Sequence, residues 1–290
     1  MKKLLKIIGI IFLIILLGVI LLVIQFVRDS KIQEEDQKLM IKTDEELIGE
    51  HLYIKRDNKE EVDVNVYIPN GNEKKSLIIN LHGGAFIAGD ADTLDTQSDR
   101  ISKSWNANIV TINYKLAKGN YNIEYAIEEV KDTVKYFIEN KDKYNIDTDN
   151  IYIMGYSAGG YYAMASTLEL HQEGIKIKGQ ILCYAFIKDI LEKYDSLSDN
   201  LKTTMPNALF ILAGNEPIGK ASLDYEKLLT ENKVNTDVKI YDTVKHGFIE
   251  ENNPEYEQLH KKNKASKSPE AEKVARAAED YIKNWINKTK

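Results

Sequence analysis

The stretch Gly155-Tyr156-Ser157-Ala158-Gly159 limits the folds open to this chain more than any other. An apolar run, Ile151-Tyr152-Ile153-Met154, precedes it, and a run of small residues at helical spacing begins at Ala158. That context reads as strand, sharp turn, helix. A serine at such a turn is held in a strained backbone conformation, which lifts its hydroxyl above the sheet and sets it at a helix N-terminus. Glycines on either side let strand and helix approach closely. Small-residue turns are common, so the pattern alone is weak evidence of chemistry. What gives it weight is whether the other parts of an acyl-transfer site follow in order.

They do. Leu77-Ile78-Ile79-Asn80-Leu81 reads as a buried strand that runs into His82-Gly83-Gly84-Ala85-Phe86, a glycine turn that exposes backbone N–H groups. The carbonyl oxygen of an ester becomes negative in the tetrahedral intermediate. Donors fixed around it lower the barrier, by about 2.7–4 kcal/mol per donor in a measured case. The candidate oxyanion hole is Gly83, Gly84, Ala85 and Ala158, with Gly84, Ala85 and Ala158 as donors and Gly83 as the bend.

Downstream, the alternating strand Val238-Lys239-Ile240-Tyr241 leads through a short loop to His246-Gly247-Phe248. His246 is the last histidine on a loop after a strand, the place of the base that takes the serine proton and returns it to the leaving group. Of the other four, His51, His171 and His260 read as solvated surface residues, and His82 as a brace for its loop. The acid is less determined. The core strand Leu209–Gly214 is followed directly by Asn215-Glu216-Pro217, and Glu216 leads, with Asp224, Asp189 and, more remotely, Asp242 as alternatives.

From about Leu77 to the C-terminus the sequence resembles the hormone-sensitive-lipase-like branch of the α/β-hydrolase esterases, and the related alkylformamidase-like hydrolases. The resemblance rests on His82-Gly83-Gly84-Ala85, on Val110-Thr111-Ile112-Asn113-Tyr114-Lys115-Leu116-Ala117 at the family's Asp-Tyr-Arg-Leu-Ala-Pro segment, on Ser157, and on His246-Gly247-Phe248. It departs from the family at three points. Ala85 stands where many members have a third glycine, Lys118 replaces the proline, and Glu216 stands where aspartate is usual. Alanine keeps its N–H, so the first should be harmless. The resemblance implies an α/β-hydrolase fold and hydrolysis of carboxylic esters without a cofactor.

Ile7 to Val27 carries no charge, and 21 residues at about 1.5 Å each match a hydrocarbon core of about 30 Å. No small-residue cleavage site follows it, so an uncleaved transmembrane anchor is expected in preference to a signal peptide. Lys2, Lys3 and Lys6 precede the span, whereas Arg28 and Lys31 after it are interleaved with Asp29, Glu34 and Glu35. Basic residues favour the cytoplasmic side, which puts the remainder of the chain outside the cytoplasm. The single cysteine, Cys183, can form no internal disulfide and leaves the redox compartment open.

Beyond the three N-terminal lysines stand 36 basic and 45 acidic residues, a net charge of −9. Their interspersion excludes a nucleic-acid partner. The basic cluster Lys261-Lys262-Asn263-Lys264 with Lys267 reads as a solvated loop. The expected organisation is an anchor over 1–28, a polar linker over 29–50 and one catalytic domain over 51–290. In that domain, strands at Leu77, Ile109, Ile151, Ile177, Leu209 and Val238 alternate with amphipathic stretches, including Tyr125 to Asn140 and Pro269 to Ile286. The fold class is therefore α/β, a mostly parallel sheet with helices on both faces, entered through a hairpin around Asp57-Asn58-Lys59.

Ligands of such sheets sit at the carboxyl ends of the strands. Only about twenty residues between Ala185 and Thr204 are free to cap the site, which predicts a shallow pocket for short, acetyl-like acyl groups. Phe86, Tyr156, Tyr161, Phe186 and Phe248 are its candidate lining. Metal-ligand spacing and phosphate-binding glycine loops are both absent, so neither metal nor cofactor is expected. The expected partner is a small-molecule or polysaccharide-linked ester. The alternatives are a formamidase or amidase, and a catalytically silent binding module on the same fold.

Overall fold

The computed structural model describes residues 2–187, 190–214, 216, 218–259 and 268–290. Asp189, His260 and the basic cluster at 261–267 lie outside the described residues. One helix, α1 (Lys2–Met40), precedes the hairpin β1 (Glu50–Ile54) and β2 (Val62–Tyr67), in which Asn58 takes a left-handed turn conformation at φ 55°. Then come β3 (Lys75–Leu81), α2 (Asp95–Trp105), β4 (Asn108–Ile112), α3 (Ile123–Glu139), β5 (Ile146–Tyr156) and α4 (Ala158–Gln172). The last part holds β6 (Gly179–Cys183), the short α5 (Ile190–Asp195) and α6 (Asp199–Thr203), β7 (Asn207–Ala213), α7 (Gly219–Glu231), β8 (Thr236–Tyr241) and α8 (Pro269–Thr289).

The strands form one sheet in the order β1-β2-β4-β3-β5-β6-β7-β8. The first two pairings are antiparallel and all the others parallel. Strands covered on both faces need continuous apolar runs, which is why every residue of β3, β4 and β6 is buried. Side chains still alternate between two cores. Ile79, Ile151 and Ile153 pack with Val130, Phe137 and Met164 of α3 and α4, while Ile78, Tyr152 and Met154 pack with Ile101, Trp105, Ile282 and Trp285 of α2 and α8. Asn122 caps α3 by accepting the Tyr125 N–H at 3.0 Å, and Ser268 caps α8, with Pro269 in its first turn.

The N-terminal helix does not end with the apolar run but continues to Met40, through the first part of the polar segment 29–50. Gln258 donates to the Leu39 carbonyl just before the helix ends. Lys42, two residues beyond it, donates its N–H to Asp92 at 2.8 Å and its ammonium to Asp95 and Glu255 at 2.7 and 3.1 Å. These bonds fix the helix to the domain. The expected transmembrane helix is not supported here: among the described residues no helix is long and apolar enough to cross a membrane. The side chains of residues 2–16, half of the apolar run among them, lie outside the described set.

Candidate active site

Tight packing at the end of β5 creates the turn that carries Ser157. A Cβ on Gly155 would lie 2.1 Å from the Gly159 carbonyl oxygen, and one on Gly159 would lie 2.3 Å from the His82 and Leu81 carbonyls. Only hydrogen fits at either place. Ser157 sits between them at φ 51°, ψ −113°, a strained conformation held from both sides. Its N–H donates to the Cys183 carbonyl at 3.0 Å, and its own carbonyl accepts the Phe186 N–H at 3.0 Å. The side chain therefore projects from a fixed backbone at the start of α4.

The loops after β7 and β8 complete a chain of three side chains. His246 Nε2 lies 2.8 Å from Ser157 Oγ, and His246 Nδ1 makes a short hydrogen bond with Glu216 Oε2. The structure thus brings together the serine, the histidine and the leading acid. Asp224 and Asp242 are exposed, the former on α7 and the latter just after β8. The Glu216 side chain is 4% exposed and that of His246 35%, so the acid is shielded while the imidazole reaches the cleft. Burial pulls the basicity of His246 down, but the hydrogen bond and charge of Glu216, aided by Glu250 and Glu251, outweigh it and raise its pKa above the ordinary value.

Opposite the serine, the loop after β3 turns through three consecutive positive φ values: Gly84 at 127°, Ala85 at 51° and Phe86 at 69°. Gly84 has no alternative, since a Cβ there would meet the Ala88 carbonyl oxygen at 1.9 Å. The loop is held by Ala88 N–H to Gly84 O at 2.9 Å and Ala117 N–H to Phe86 O at 2.7 Å. None of the hydrogen bonds among the described residues uses the N–H of Gly84, Ala85 or Ala158. Gly83, read from the sequence as the bend and not as a donor, is different: its N–H donates to Glu250 Oε1 at 2.7 Å.

His82 is a brace, as its sequence position implies. Its ring stacks on Tyr114 at 4.1 Å, its Nδ1 donates to the Gly83 carbonyl at 2.6 Å, and burial pushes its pKa down to about 4. It stays a neutral donor. His171 Nε2 donates to the Leu201 carbonyl at 3.1 Å, tying α4 to α6. His51 corrects the sequence reading: it is not merely solvated but bridges Asp44 and Asp63 at 2.6 Å each.

A cleft of about 480 Å³ opens over Ser157 and His246, walled on the domain side by Gly83, Gly84 and Gly247 and by Glu250, Glu251 and Tyr256. The facing wall is α1, through Asp29, Asp36, Gln37 and Met40. The predicted aromatic lining fails in part. Tyr156 and Phe248 are fully buried in the core shared with α2 and α8, because the strand alternation that aims β5 side chains there also places Tyr156 there. Phe86 and Phe186 are half-buried and meet edge to face at 5.6 Å, with Tyr161 and Tyr162 against Phe86, beside the cleft and not on its wall. Sequence reasoning missed the α1 wall and Glu250. The spacing of Ile32, Leu39 and Met40 is too sparse to show which face a polar helix buries, and Glu250-Glu251 looks like a solvated acidic pair. Among the described residues, no group of His, Cys, Asp and Glu could hold a metal ion.

A doubly wound sheet with a strained serine at the end of its fifth strand, and a histidine and acid on later loops, defines the class as an α/β-hydrolase. Comparison with known proteins agrees. Residues 78–204 match the sequence profile of the family described as alpha/beta hydrolase fold, in keeping with the sheet and its loops. It is 28% identical over 127 residues to an arylesterase of Saccharolobus solfataricus, covering 44% of this chain and 41% of that protein. It is 30% identical over 142 residues to an acetyl esterase of Salmonella paratyphi B, covering 49% and 43%. An arylacetamide deacetylase of Oryctolagus cuniculus is 28% identical over 160 residues, covering 52% and 40%. The matched regions thus span about two-fifths of these relatives. Among solved structures, an esterase of Pyrobaculum calidifontis superposes with a TM-score of 0.70 at 22% identity, covering 89% of this chain and 92% of that one. A thermostable carboxylesterase from a metagenomic library gives 0.69 at 18%, covering 90% and 95%. Likeness at that identity establishes the fold.

Proposed function

We propose that this chain is a serine hydrolase of short-acyl carboxylic esters, with Ser157 as nucleophile, His246 as general base and acid, and Glu216 as the carboxylate that orients the imidazole. The observation that carries the reading is the unbroken chain from Ser157 Oγ through His246 to Glu216. His246 takes the hydroxyl proton as Ser157 attacks the carbonyl carbon. Glu216 fixes the tautomer and stabilises the imidazolium. The N–H groups of Gly84, Ala85 and Ala158 hold the oxyanion, aided by the N-terminus of α4. His246 then returns the proton to the leaving alcohol, and water repeats the cycle on the acyl-enzyme.

The esterase names of the curated relatives favour an ester, and a cleft closed on one side by α1 favours a short acyl group. The deacetylase relative is the reason to include an acetylated arylamine in any substrate panel. The anchor is also proposed. The uncharged run Ile7–Val27 is long enough to span a bilayer, and Leu17, Leu21, Leu22, Val23 and Ile24 are each more than half exposed. Three lysines before it put the hydrolase domain outside the cytoplasm. The test is phosphonylation of Ser157 by a fluorophosphonate together with turnover of p-nitrophenyl esters from acetyl to palmitoyl. No labelling would leave a silent binding module, and a maximum at twelve carbons or more would refute the short-acyl pocket.

A further inference from the structure

The base loop and the oxyanion loop come from opposite ends of the sequence, yet one side chain joins them. Glu250 stands four residues after His246, on a single turn of tight helix (Glu250–Asn252), and its carboxylate accepts the Gly83 N–H at 2.7 Å. It is 4% exposed, lines the cleft, and packs so closely on the loop that a Cβ on Gly83 would meet Glu250 Oε2 at 2.9 Å. Its own segment is held firmly. The Glu250 N–H donates to the Tyr184 hydroxyl at 3.4 Å, Glu251 N–H donates to the Gly247 carbonyl at 2.9 Å, and Asn252 Nδ2 donates to the Phe248 carbonyl at 2.7 Å. Tyr184 also sets its ring edge-on to His246 at 5.0 Å.

We infer that Glu250 is a positioning residue: it holds the oxyanion loop in register with His246 and places a second negative charge behind the imidazole, in addition to Glu216. The inference rests on the hydrolase reading above. A carboxylate fastened to Gly83 fixes the peptide planes that follow, and those planes carry the N–H groups of Gly84 and Ala85. The same carboxylate interacts with His246 and favours the imidazolium form that appears when Ser157 attacks. Glu216 and Glu251 act on His246 in the same direction. Around Glu250 stand His246, Glu251, Tyr184, Tyr114, Tyr156, Tyr256 and the Cys183 thiol. Burial raises its pKa to about 7, against the Gly83 hydrogen bond and the charge of His246, which lower it. Its charge is therefore fully present only above about pH 7.

Two substitutions separate the roles. Glu250→Gln keeps an oxygen that can accept the Gly83 N–H but removes the charge, and Glu250→Ala removes both. The assay is the second-order rate of Ser157 phosphonylation against pH on the full chain, with Ser157→Ala as the blank and thermal melting as the check on folding. Glu250→Gln should keep a maximal rate within about threefold of wild type while its acid limb moves to lower pH by half a unit or more, because a negative charge that favoured His246 protonation is gone. Glu250→Ala should lose about 10- to 100-fold at every pH, in keeping with misplacement of an oxyanion donor. An unchanged acid limb in Glu250→Gln would overturn the inference even if Glu250→Ala failed to fold, and a wild-type rate in Glu250→Ala would overturn it as well. A wild-type protein that does not react would instead sink the hydrolase reading itself.

Discussion

Replacing Glu216 with glutamine is the sharpest perturbation of the proposed mechanism. The substitution is nearly isosteric in a side chain only 4% exposed, and one of the two carboxylate oxygens, Oε1, is buried without a hydrogen-bond partner, so folding should be little affected. The chemistry should not survive so well. With Glu216 ionised, His246 Nδ1 carries the proton and Nε2 is free to accept from Ser157 Oγ, 2.8 Å away. An amide can present its NH₂ to Nδ1 instead, which moves the ring proton to Nε2 and leaves the serine without a base. A pair of unit charges about 4 Å apart at an effective dielectric constant of about 20 interacts by about 4 kcal/mol, so loss of the charge alone costs about 10³ in rate. The wrong tautomer brings the expected loss in kcat to about 10⁴, the size seen when the acid of a related triad is made an amide. KM should hardly move, since Glu216 is behind the imidazole. The acid limb of kcat/KM should also fall. Glu216 helps hold the His246 pKa above its ordinary value, so wild-type activity should rise with pH only above about 6.5, the unperturbed value for histidine, and the variant's residual activity should rise earlier. Steady-state kinetics on p-nitrophenyl acetate from pH 5 to 9 measures both effects. A variant within tenfold of wild type, with an unmoved acid limb, would refute the assignment, and a 10⁴ loss in Asp224→Asn instead would move the acid to α7.

Ser157→Ala and His246→Ala should each abolish nearly all turnover, and the double variant should be scarcely worse, because nucleophile and base act as one unit; additive losses in kcat would contradict that. Gly84→Ala should lower kcat by at least 10² and reduce the melting temperature, since its Cβ would meet the Ala88 carbonyl oxygen at 1.9 Å and φ 127° is forbidden to alanine. Wild-type kinetics in Gly84→Ala would show that the loop is free to rearrange. Removal of residues 1–28 should leave acetyl ester turnover intact and release the protein from membranes, whereas removal of residues 1–41 should open the cleft and shift the acyl-chain optimum to longer esters. An identical chain-length profile in both truncations would show that α1 plays no part in substrate selection.

Much of this site was legible in the sequence because its parts are short and local. A glycine pair around a serine, after an apolar strand, has few structural solutions, and the packing at Gly155 and Gly159 shows why. His246 and Glu216 follow strands whose apolar runs are unambiguous, and strand order does the rest. Strand limits were less legible: β5 begins at Ile146, not Ile151, because its first residues are polar yet still pair through Lys75. The aromatic lining was misread for a related reason. Tyr156 ends β5, where adjacent residues point to opposite faces, and Phe248 sits in the turn after His246 and packs into the core against Tyr184 and Tyr241. The α1 wall and the bond from Glu250 to Gly83 were not legible at all, since both depend on contacts between segments more than a hundred residues apart, or between a polar helix and a surface that no local pattern describes.

The distribution of rigidity around Ser157 has a further consequence. The serine, the oxyanion loop and the base are held by close backbone contacts, by three consecutive positive φ values and by buried hydrogen bonds, so none of them can adapt much to a substrate. The facing wall is of another kind. It consists of side chains on one helix, joined to the domain through the Leu39 carbonyl and through Lys42 and its carboxylate partners. On the hydrolase reading proposed above, chemistry would be fixed by the sheet and its loops, and the choice of acyl group left to Asp29, Asp36, Gln37 and Met40. The same helix carries the uncharged run Ile7–Val27, so if that run is embedded in a bilayer, the wall of the cleft begins two residues beyond it, at Asp29. At about 1.5 Å per residue the cleft then opens within about 20 Å of the membrane surface. Esters held at that surface would meet the serine before those free in solution.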